Sequence, residues 1–476
     1  MPTYFFNLPL LLTMVVNGTS LCNQPPAHIL VLPYPAQGHT LPLLDFLHQL
    51  LLRFNHHITI ITTPKNLTTV SPLLAAHPSA IQTLTLPFPS HPAIPAGVEN
   101  VKDLGNKSIV HVVSAWTQLG PLISKWFFSV PNRPVALIYD FFLGWSAKLA
   151  QEFSIPHFAF YSSGGFTTAV VEYCWILSEE VREKEVYEFG DLPGSPSFHV
   201  ADLPSLFLKY DKSSPDWNIL KESLSQNATA SGCIFNSSEA LEKKYLDFLK
   251  EKRGGNKIYA VGPISLNGLN QTKEPPDSTT AETLQWLDKF SEGSVLYVCF
   301  GSQKFMTEEQ MNGLAVGLEK SGSKFVWVLK NGNLPDGFEE RVSGRGLVIK
   351  GWAPQQRILT HAAVGGFLSH CGWNSLLEGI EAGVMFLTWP MEADQYVNAK
   401  LVEDDLRVAL RVCKGGDSVP DPDTVAEVIK LWSSDEGREW KDRALLLKEE
   451  AVAGVAEGGS SSIDLDRLGM SIVKKL

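Results

Sequence analysis

No C-x-x-C pair occurs among the six cysteines of this 476-residue chain, which removes the usual spacings for structural zinc or a redox dithiol. Cys22, Cys174, Cys233, Cys299, Cys371 and Cys413 stand far apart and read as reduced, mostly buried thiols of a cytosolic protein. No metal site and no cofactor are expected. A basic cluster is also missing, and the net charge is −11, so neither nucleic acid nor an anionic membrane is the expected partner. The apolar run Leu8–Val16 is too short to span a bilayer, so stable membrane insertion is not expected. Neither half carries G-x-G-x-x-G after a strand, as a hydride-transfer enzyme would want, and G-x-S-x-G of serine hydrolases is absent too.

What is present describes a well-buried globular protein, with 44% hydrophobic and 19% charged residues. The length favours two domains of roughly 200 residues each. Residues 1–26 are expected to be a leader or a non-native extension, with Met14 a reasonable start. The alternative is a secretory signal with Leu8–Val16 as its core, although no Lys or Arg precedes it. Sequons at Asn17, Asn66, Asn106, Asn227, Asn236 and Asn270 keep that alternative alive beside a cytoplasmic location.

From His28 onward, short apolar runs alternate with amphipathic stretches. Strands are expected at His28–Tyr34, Ile58–Thr62, Ile81–Leu86, Val135–Tyr139, His157–Tyr161, Gly232–Asn236 and Ile258–Val261, with helices at Leu41–Phe54 and Trp145–Phe153. The breaker-rich stretch 266–280 reads as a linker between domains 27–265 and 281–455. Strands resume at Ser294–Phe300, Lys324–Leu329, Gly346–Lys350, Val364–Leu368, Met385–Trp389 and Arg407–Leu410. Helices are expected at Thr307–Lys320 and Ser375–Ala382, and a last helix within 456–476 should pack back on the first domain. The fold class is α/β: two doubly wound parallel sheets facing each other, with ligands in the cleft at their carboxyl ends. A monomer is expected.

Four strand ends of the second half are chemically loaded. His370-Cys371-Gly372-Trp373-Asn374-Ser375 follows a strand and opens a helix, where unpaired N–H groups and the positive dipole end suit a diphosphate. His370, Asn374 and Ser375 add side-chain donors, so the phosphates need no metal. A capping box, Ser375-x-x-Glu378, explains part of the same text. Trp352-Ala353-Pro354-Gln355 offers an aromatic face and an amide to a flat base, and Asp394-Gln395 suits vicinal hydroxyls. Gly301 and Ser302 would let backbone approach a phosphate. Taken singly, each also fits a packing tryptophan or a solvated loop.

The 44 residues from Trp352 to Gln395, WAPQQRILTHAAVGGFLSHCGWNSLLEGIEAG followed by WPMEADQ, resemble the signature box of plant secondary-product UDP-glycosyltransferases. These are inverting enzymes with two facing Rossmann-like domains, the GT-B arrangement. The resemblance implies that Trp352 stacks on uracil, with Ala353 and Gln355 at its edge and Glu378 on the ribose hydroxyls. It gives the diphosphate to His370, Asn374 and Ser375, assisted by Ser302, and the transferred sugar to Trp373, Asp394 and Gln395. In this family a terminal Gln accompanies UDP-glucose, so Gln395 favours glucose over UDP-xylose or UDP-rhamnose. Met385 stands where the family usually has Pro.

Transfer with inversion needs a base for the acceptor hydroxyl, and His suits it. His39 ends the turn after the first strand, and Asp140 ends another, so two parallel strands deliver a His and an Asp to one edge. Asp140 would fix the tautomer of His39 and stabilise its imidazolium. A helix cap is the plainer reading of Asp140, and a first-turn residue that of His39. PYPAQGHTLPLLDFLHQL and DFFLGWSAKLAQEFSIP are similar to the family's catalytic segments, and the same resemblance brings Ser162 to the donor. The loops around Pro87–Leu104 and Val181–Leu208 are expected to shape the acceptor pocket, with Phe88, Trp145 and Phe207 as aromatic walls. The expected ligands are a UDP-sugar and a small phenolic such as a flavonoid or hydroxybenzoate. A catalytically silent binder of the same ligands is the alternative that intact His39 and Asp140 oppose.

Overall fold

The runs His28–Leu32 and Ala136–Asp140 are buried at every position, as strands covered on both faces must be. A computed structural model describes residues 26–104, 109–254, 257–269, 278–301, 305–330 and 332–473. The Leu8–Val16 segment and Cys22 lie outside them, as do Asn17, Asn106 and Asn270.

The first half supplies β1 (His28–Leu32), β2 (His57–Thr62), β3 (Ile81–Thr85), β4 (Ala136–Asp140) and β5 (His157–Tyr161). A short antiparallel ribbon of β6 (Val186–Glu188) and β7 (Ser197–His199) follows, then β8 (Gly232–Phe235) and β9 (Ile258–Ala260). Seven of these form a parallel sheet in the order β3-β2-β1-β4-β5-β8-β9. Alternation along β1 splits the core: Ile29 and Val31 join Leu43 and Leu47 on one face, while Leu30 and Leu32 join Trp116 and Ile123 on the other.

The second half supplies β10 (Val295–Cys299), β11 (Lys324–Leu329), β12 (Gly346–Lys350), β13 (Val364–Ser369), β14 (Met385–Thr388) and β15 (Ala409–Arg411). They form a parallel sheet in the order β12-β11-β10-β13-β14-β15. The strand order reverses between β1 and β4 in one sheet and between β10 and β13 in the other, and such reversals open a crevice at the carboxyl ends.

The last helix, Ser460–Val473, lies against the first domain. Leu465, Leu468 and Ile472 enter the core that holds Phe46 and Phe54, each adding about 1.5–3 kcal/mol by burial. Arg53 bonds Asp466 at 2.8 Å, and Asp464 accepts the Ala260 N–H at 2.9 Å. Gly469 is needed here, because a Cβ would stand 2.2 Å from the Phe54 ring.

Two helices begin earlier than the sequence suggests. The helix expected from Leu41 starts at Gln37, and the one expected from Ser375 starts at Trp373 with Gly372 as its N-cap. Ser375 therefore sits inside the first turn and makes no capping box. The buried sequons Asn66, Asn227 and Asn236 use their side-chain amides on Thr63, Phe141 and Ile264, a packing incompatible with a glycan. Among the described residues, no helix is long and apolar enough to cross a membrane.

Candidate functional site

β1 runs out into the turn that starts the helix Gln37–Arg53, and His39 falls in that helix's first turn. The neighbouring strand β4 ends at Asp140. Across this reversal point, His39 Nδ1 meets Asp140 Oδ2 at 2.9 Å, with Asp140 fully buried. A carboxylate only accepts, so Nδ1 carries the proton and Nε2 is left with the lone pair. The other oxygen, Oδ1, accepts the Phe142 N–H at 3.0 Å and caps the 3₁₀ turn Phe141–Ser146. Asp140 is thus both a cap and a histidine partner. Phe141 stacks on the imidazole, with ring centres 5.5 Å apart, and Phe142 and Tyr34 close the other sides.

His39 lines a cavity of about 1860 Å³ that runs between the two sheets. On its other wall stand His370, Trp373, Asn374, Ser375, Glu378, Asp394 and Gln395. Trp352, Ala353 and Gln355 line the same wall, and Ser162 joins from the end of β5. Ser302 lies outside the described residues.

Gln355 organises the base end of this wall. Its Nε2 donates to Glu378 at 2.5 Å and to Ser375 Oγ at 3.2 Å, and burial raises the pKa of Glu378. Trp352 is 76% exposed, and no ring among the described residues stacks on its indole. His370 is held between two glycines, since a Cβ on Gly301 or Gly372 would stand 2.7 Å from its ring. Gly301 also has φ +72, which suits glycine best. Burial pushes the pKa of His370 down to about 4, so the ring is neutral, and its buried Nδ1 has no hydrogen-bond partner.

Gln395 is 8% exposed, and its Oε1 accepts the backbone N–H groups of Met391 and Glu392 at 3.0 and 3.1 Å. Its Nε2 is therefore the end free to face a ligand. Asp394 Oδ2 accepts from Asn398 at 2.8 Å, and burial raises its pKa while the nearby His39 lowers it. Trp373 is almost fully buried, its Nε1 donating to the Asn236 carbonyl at 2.8 Å, so the indole is mainly a strut between domains.

A second strut joins the two loops that matter most. Pro42 lies inside the helix Gln37–Arg53 and has no N–H to give the carbonyl four residues back, that of Gly38. Asn374 Nδ2, from the other domain, donates to that carbonyl at 3.0 Å. The histidine turn is so tied to the His370–Ser375 turn. Sequence reading did not name Pro42 and took Asn236 only as a sequon at a strand end, although a proline in a helix is a visible sign of a free carbonyl.

The aromatic walls differ from expectation. Phe88, Trp145 and Phe207 do not line the cavity: Phe207 is fully buried in the core, and the other two pack half-buried against it. The apolar end is lined instead by Phe141, Phe142, Val171, Trp175, Leu206 and Trp217. Behind Trp217, Asp216 accepts from His111 Nδ1 at 2.6 Å and meets His91 Nε2 at 3.3 Å. These three have the spacing of a cation site among the described residues. Yet His91 Nδ1 already accepts the Ala93 N–H at 3.2 Å, so its Nε2 carries the proton and faces the carboxylate as a donor. The cluster is a hydrogen-bonded clamp across the loop, the helix Ile109–Thr117 and the helix Pro215–Gln226.

Comparison with known proteins follows the same geometry. Residues 264–411 match the family described as UDP-glucoronosyl and UDP-glucosyl transferase. UDP-glycosyltransferase 89A2 of Arabidopsis thaliana is 47% identical over 95% of this chain and 97% of its own. The flavonol 3-O-glucosyltransferase UGT89B1 of the same plant is 44% identical over 92% of this chain and 94% of its own. The crystal structure of Arabidopsis thaliana UGT89C1 complexed with UDP-L-rhamnose superposes with a TM-score of 0.77 at 35% identity, covering 94% of this chain and all of that one.

Proposed function

Because this chain belongs to the plant secondary-product UDP-glycosyltransferases and has their GT-B fold, we propose that it moves glucose from UDP-glucose to a hydroxyl of a small phenolic, giving a β-O-glycoside. The observation that carries the chemistry is the His39–Asp140 pair, whose Nε2 opens on the same cavity as the donor box. The acceptor hydroxyl gives its proton to His39 Nε2 while its oxygen attacks the anomeric carbon. The bond to UDP breaks on the opposite face, and the configuration inverts. Asp140 stabilises the imidazolium that forms.

Charge gathers on the departing diphosphate. The first turn of the helix Trp373–Ala382 faces it with free N–H groups, and Asn374, Ser375 and the buried His370 add donors. A phosphate oxygen would also give the unpartnered nitrogen of His370 its bond. This donor set needs no metal. Uracil stacks on Trp352 with Ala353 and Gln355 at its edge, Glu378 holds the ribose, Ser162 approaches from the facing domain, and Ser302 assists at the phosphates. Gln395, with its oxygen locked by backbone and its NH2 outward, and Asp394 take the sugar hydroxyls. Phe141, Trp175 and Trp217 suit a flat aromatic acceptor. The enzyme acts as a monomer in the cytosol.

Rhamnose is the second reading, favoured by the likeness to a structure that holds UDP-L-rhamnose. Incubation with UDP-glucose, UDP-xylose and UDP-rhamnose against a panel of flavonoids and hydroxybenzoates, read by mass spectrometry, separates them. A glucoside of a phenolic is expected. Product from UDP-rhamnose alone would replace the donor assignment, and product only from non-aromatic acceptors would overturn the acceptor class.

A further inference from the structure

Asn398, on the helix Gln395–Lys400, is 1% exposed at the meeting of the two domains. Its Nδ2 donates to Asp394 Oδ2 at 2.8 Å and to the Cys371 carbonyl at 3.0 Å, and its Oδ1 accepts from Thr167 Oγ1 at 2.7 Å. A carbonyl only accepts, so the Cys371 bond settles which end of the amide is nitrogen. Both protons are committed within the donor domain, and the oxygen is committed to the acceptor domain. Asn398 thereby ties these three places together.

The places themselves are strained or chemical. Cys371 has φ +64, a conformation few residues other than glycine adopt, and it sits between His370 and Gly372. Its N–H is held by Ser369 Oγ at 3.1 Å and its carbonyl by Asn398. Ala393, beside Asp394, has φ +58, and its carbonyl accepts the Ser205 N–H from the acceptor domain at 3.1 Å. Thr167 lies in the helix Gly165–Ile176, whose Val171 and Trp175 line the apolar end of the cavity.

We propose that Asn398 is a positioning residue that makes the grip of Asp394 on the donor sugar depend on domain closure, with Thr167 as the contact that senses it. The inference rests on the reading of Asp394 as a sugar contact. When the domains part, the buried Oδ1 loses the Thr167 hydroxyl, and the amide is released to turn away from Asp394 and Cys371. When they meet, the Thr167 hydroxyl polarises the amide and fixes both bonds. Donor grip and acceptor docking then share one side chain.

The test uses the full-length enzyme and the donor it prefers. Thr167→Val removes the hydroxyl at nearly constant volume, Thr167→Ser keeps it, and Asn398→Asp replaces both amide donors with an acceptor. Thr167→Val should lower kcat/KM about tenfold, as for a buried amide left unpaired. It should leave the Kd of UDP, which carries no sugar, within about twofold. It should also narrow the preference for UDP-glucose over UDP-galactose, and Thr167→Ser should restore all three readings. A parallel fall in UDP affinity would mean general loss of domain contact and overturn the proposal, as would an unchanged donor preference. Asp394→Ala calibrates the underlying reading: if it keeps the wild-type preference, Asp394 is no sugar contact. If Asp394→Ala loses the preference while Thr167→Val and Asn398→Asp keep it, only the coupling fails.

Discussion

His39 touches four groups at once: Asp140 at its Nδ1 and three aromatic rings around its faces. Such a ring cannot turn, so Nε2 is aimed before any substrate arrives, which is worth more than proximity alone. His39→Ala should cut transfer about a hundred- to ten-thousand-fold, the usual contribution of a positioned base. UDP binding, measured by calorimetry, should hardly change, because the hydrogen bond His39 makes is to Asp140 of its own domain, and Asp394, the donor-box residue near it, is read as a contact of the sugar rather than of UDP. Retention of most activity would remove the base assignment. At this scale the sequence was informative where the chemistry and the strand end coincide, as at His39, Asp140 and His370. It said little where a polar group is used by a partner distant in the chain. Asn374 meets Gly38, 336 positions away, and only the fold brings that pair together.

Among the elements, the clamp on Asp216 decides how firmly the acceptor wall is held. Burial alone would raise the pKa of Asp216, but Ser114, His111 and His91 more than offset it and hold the carboxyl below its ordinary range. Three separate segments converge there, and one of them carries Trp217 into the cavity. Asp216→Ala should raise the KM for the acceptor about three- to tenfold while the KM for UDP-sugar stays put, since a loosened wall costs orientation first. Steady-state kinetics with each substrate varied in turn checks this; equal changes in both constants would point to global loosening.

Strand positions were readable because a buried parallel strand is an almost unbroken apolar run, and β5, β11 and β12 coincide with expectation to the residue. Helix starts were not. The start expected at Leu41 would put Pro42 in the first turn, where a missing N–H costs nothing. The observed start at Gln37 leaves it in the interior, an arrangement stabilised by a bond from the other domain. The walls Phe88, Trp145 and Phe207 were misplaced for a related reason. Aromatic character says that a side chain is buried, but which cavity it borders depends on how helices such as Pro215–Gln226 cross the sheet.

Over the whole molecule, a group of buried carboxyls marks where the domains join. Glu381 sits in the last turn of the helix Trp373–Ala382, where the dipole disfavours negative charge, and it accepts from Ser265 and Gln356. Burial, with Glu378 and Asp45 nearby, pushes its pKa up from 4.5 to about 8, and Asp45 rises to about 6. A carboxyl whose pKa is raised by folding stabilises fully below its unfolded pKa. That contribution fades as pH climbs through 4.5 and is gone above about 8. The native enzyme should therefore melt at a lower temperature at pH 9 than at pH 6, by a few degrees, since about 1 kcal/mol moves Tm by about 2–4 °C. Glu381→Gln, which keeps both acceptor contacts in part and cannot ionise, should flatten that difference. An equal slope in the two proteins would show that Glu381 ionises as it does in the unfolded chain.

Trp352 has one more consequence, an optical one. Of the 12 tryptophans, it alone is exposed, at 76%, while the rest are buried or half-buried. Its emission should lie at the red, water-relaxed edge of the spectrum and be accessible to iodide. A nucleobase laid on the indole would quench that edge and shield it from iodide, leaving the blue emission of the interior tryptophans in place. The protein then carries its own reporter of nucleotide occupancy, readable by titration with UDP alone, and Trp352→Phe would silence it.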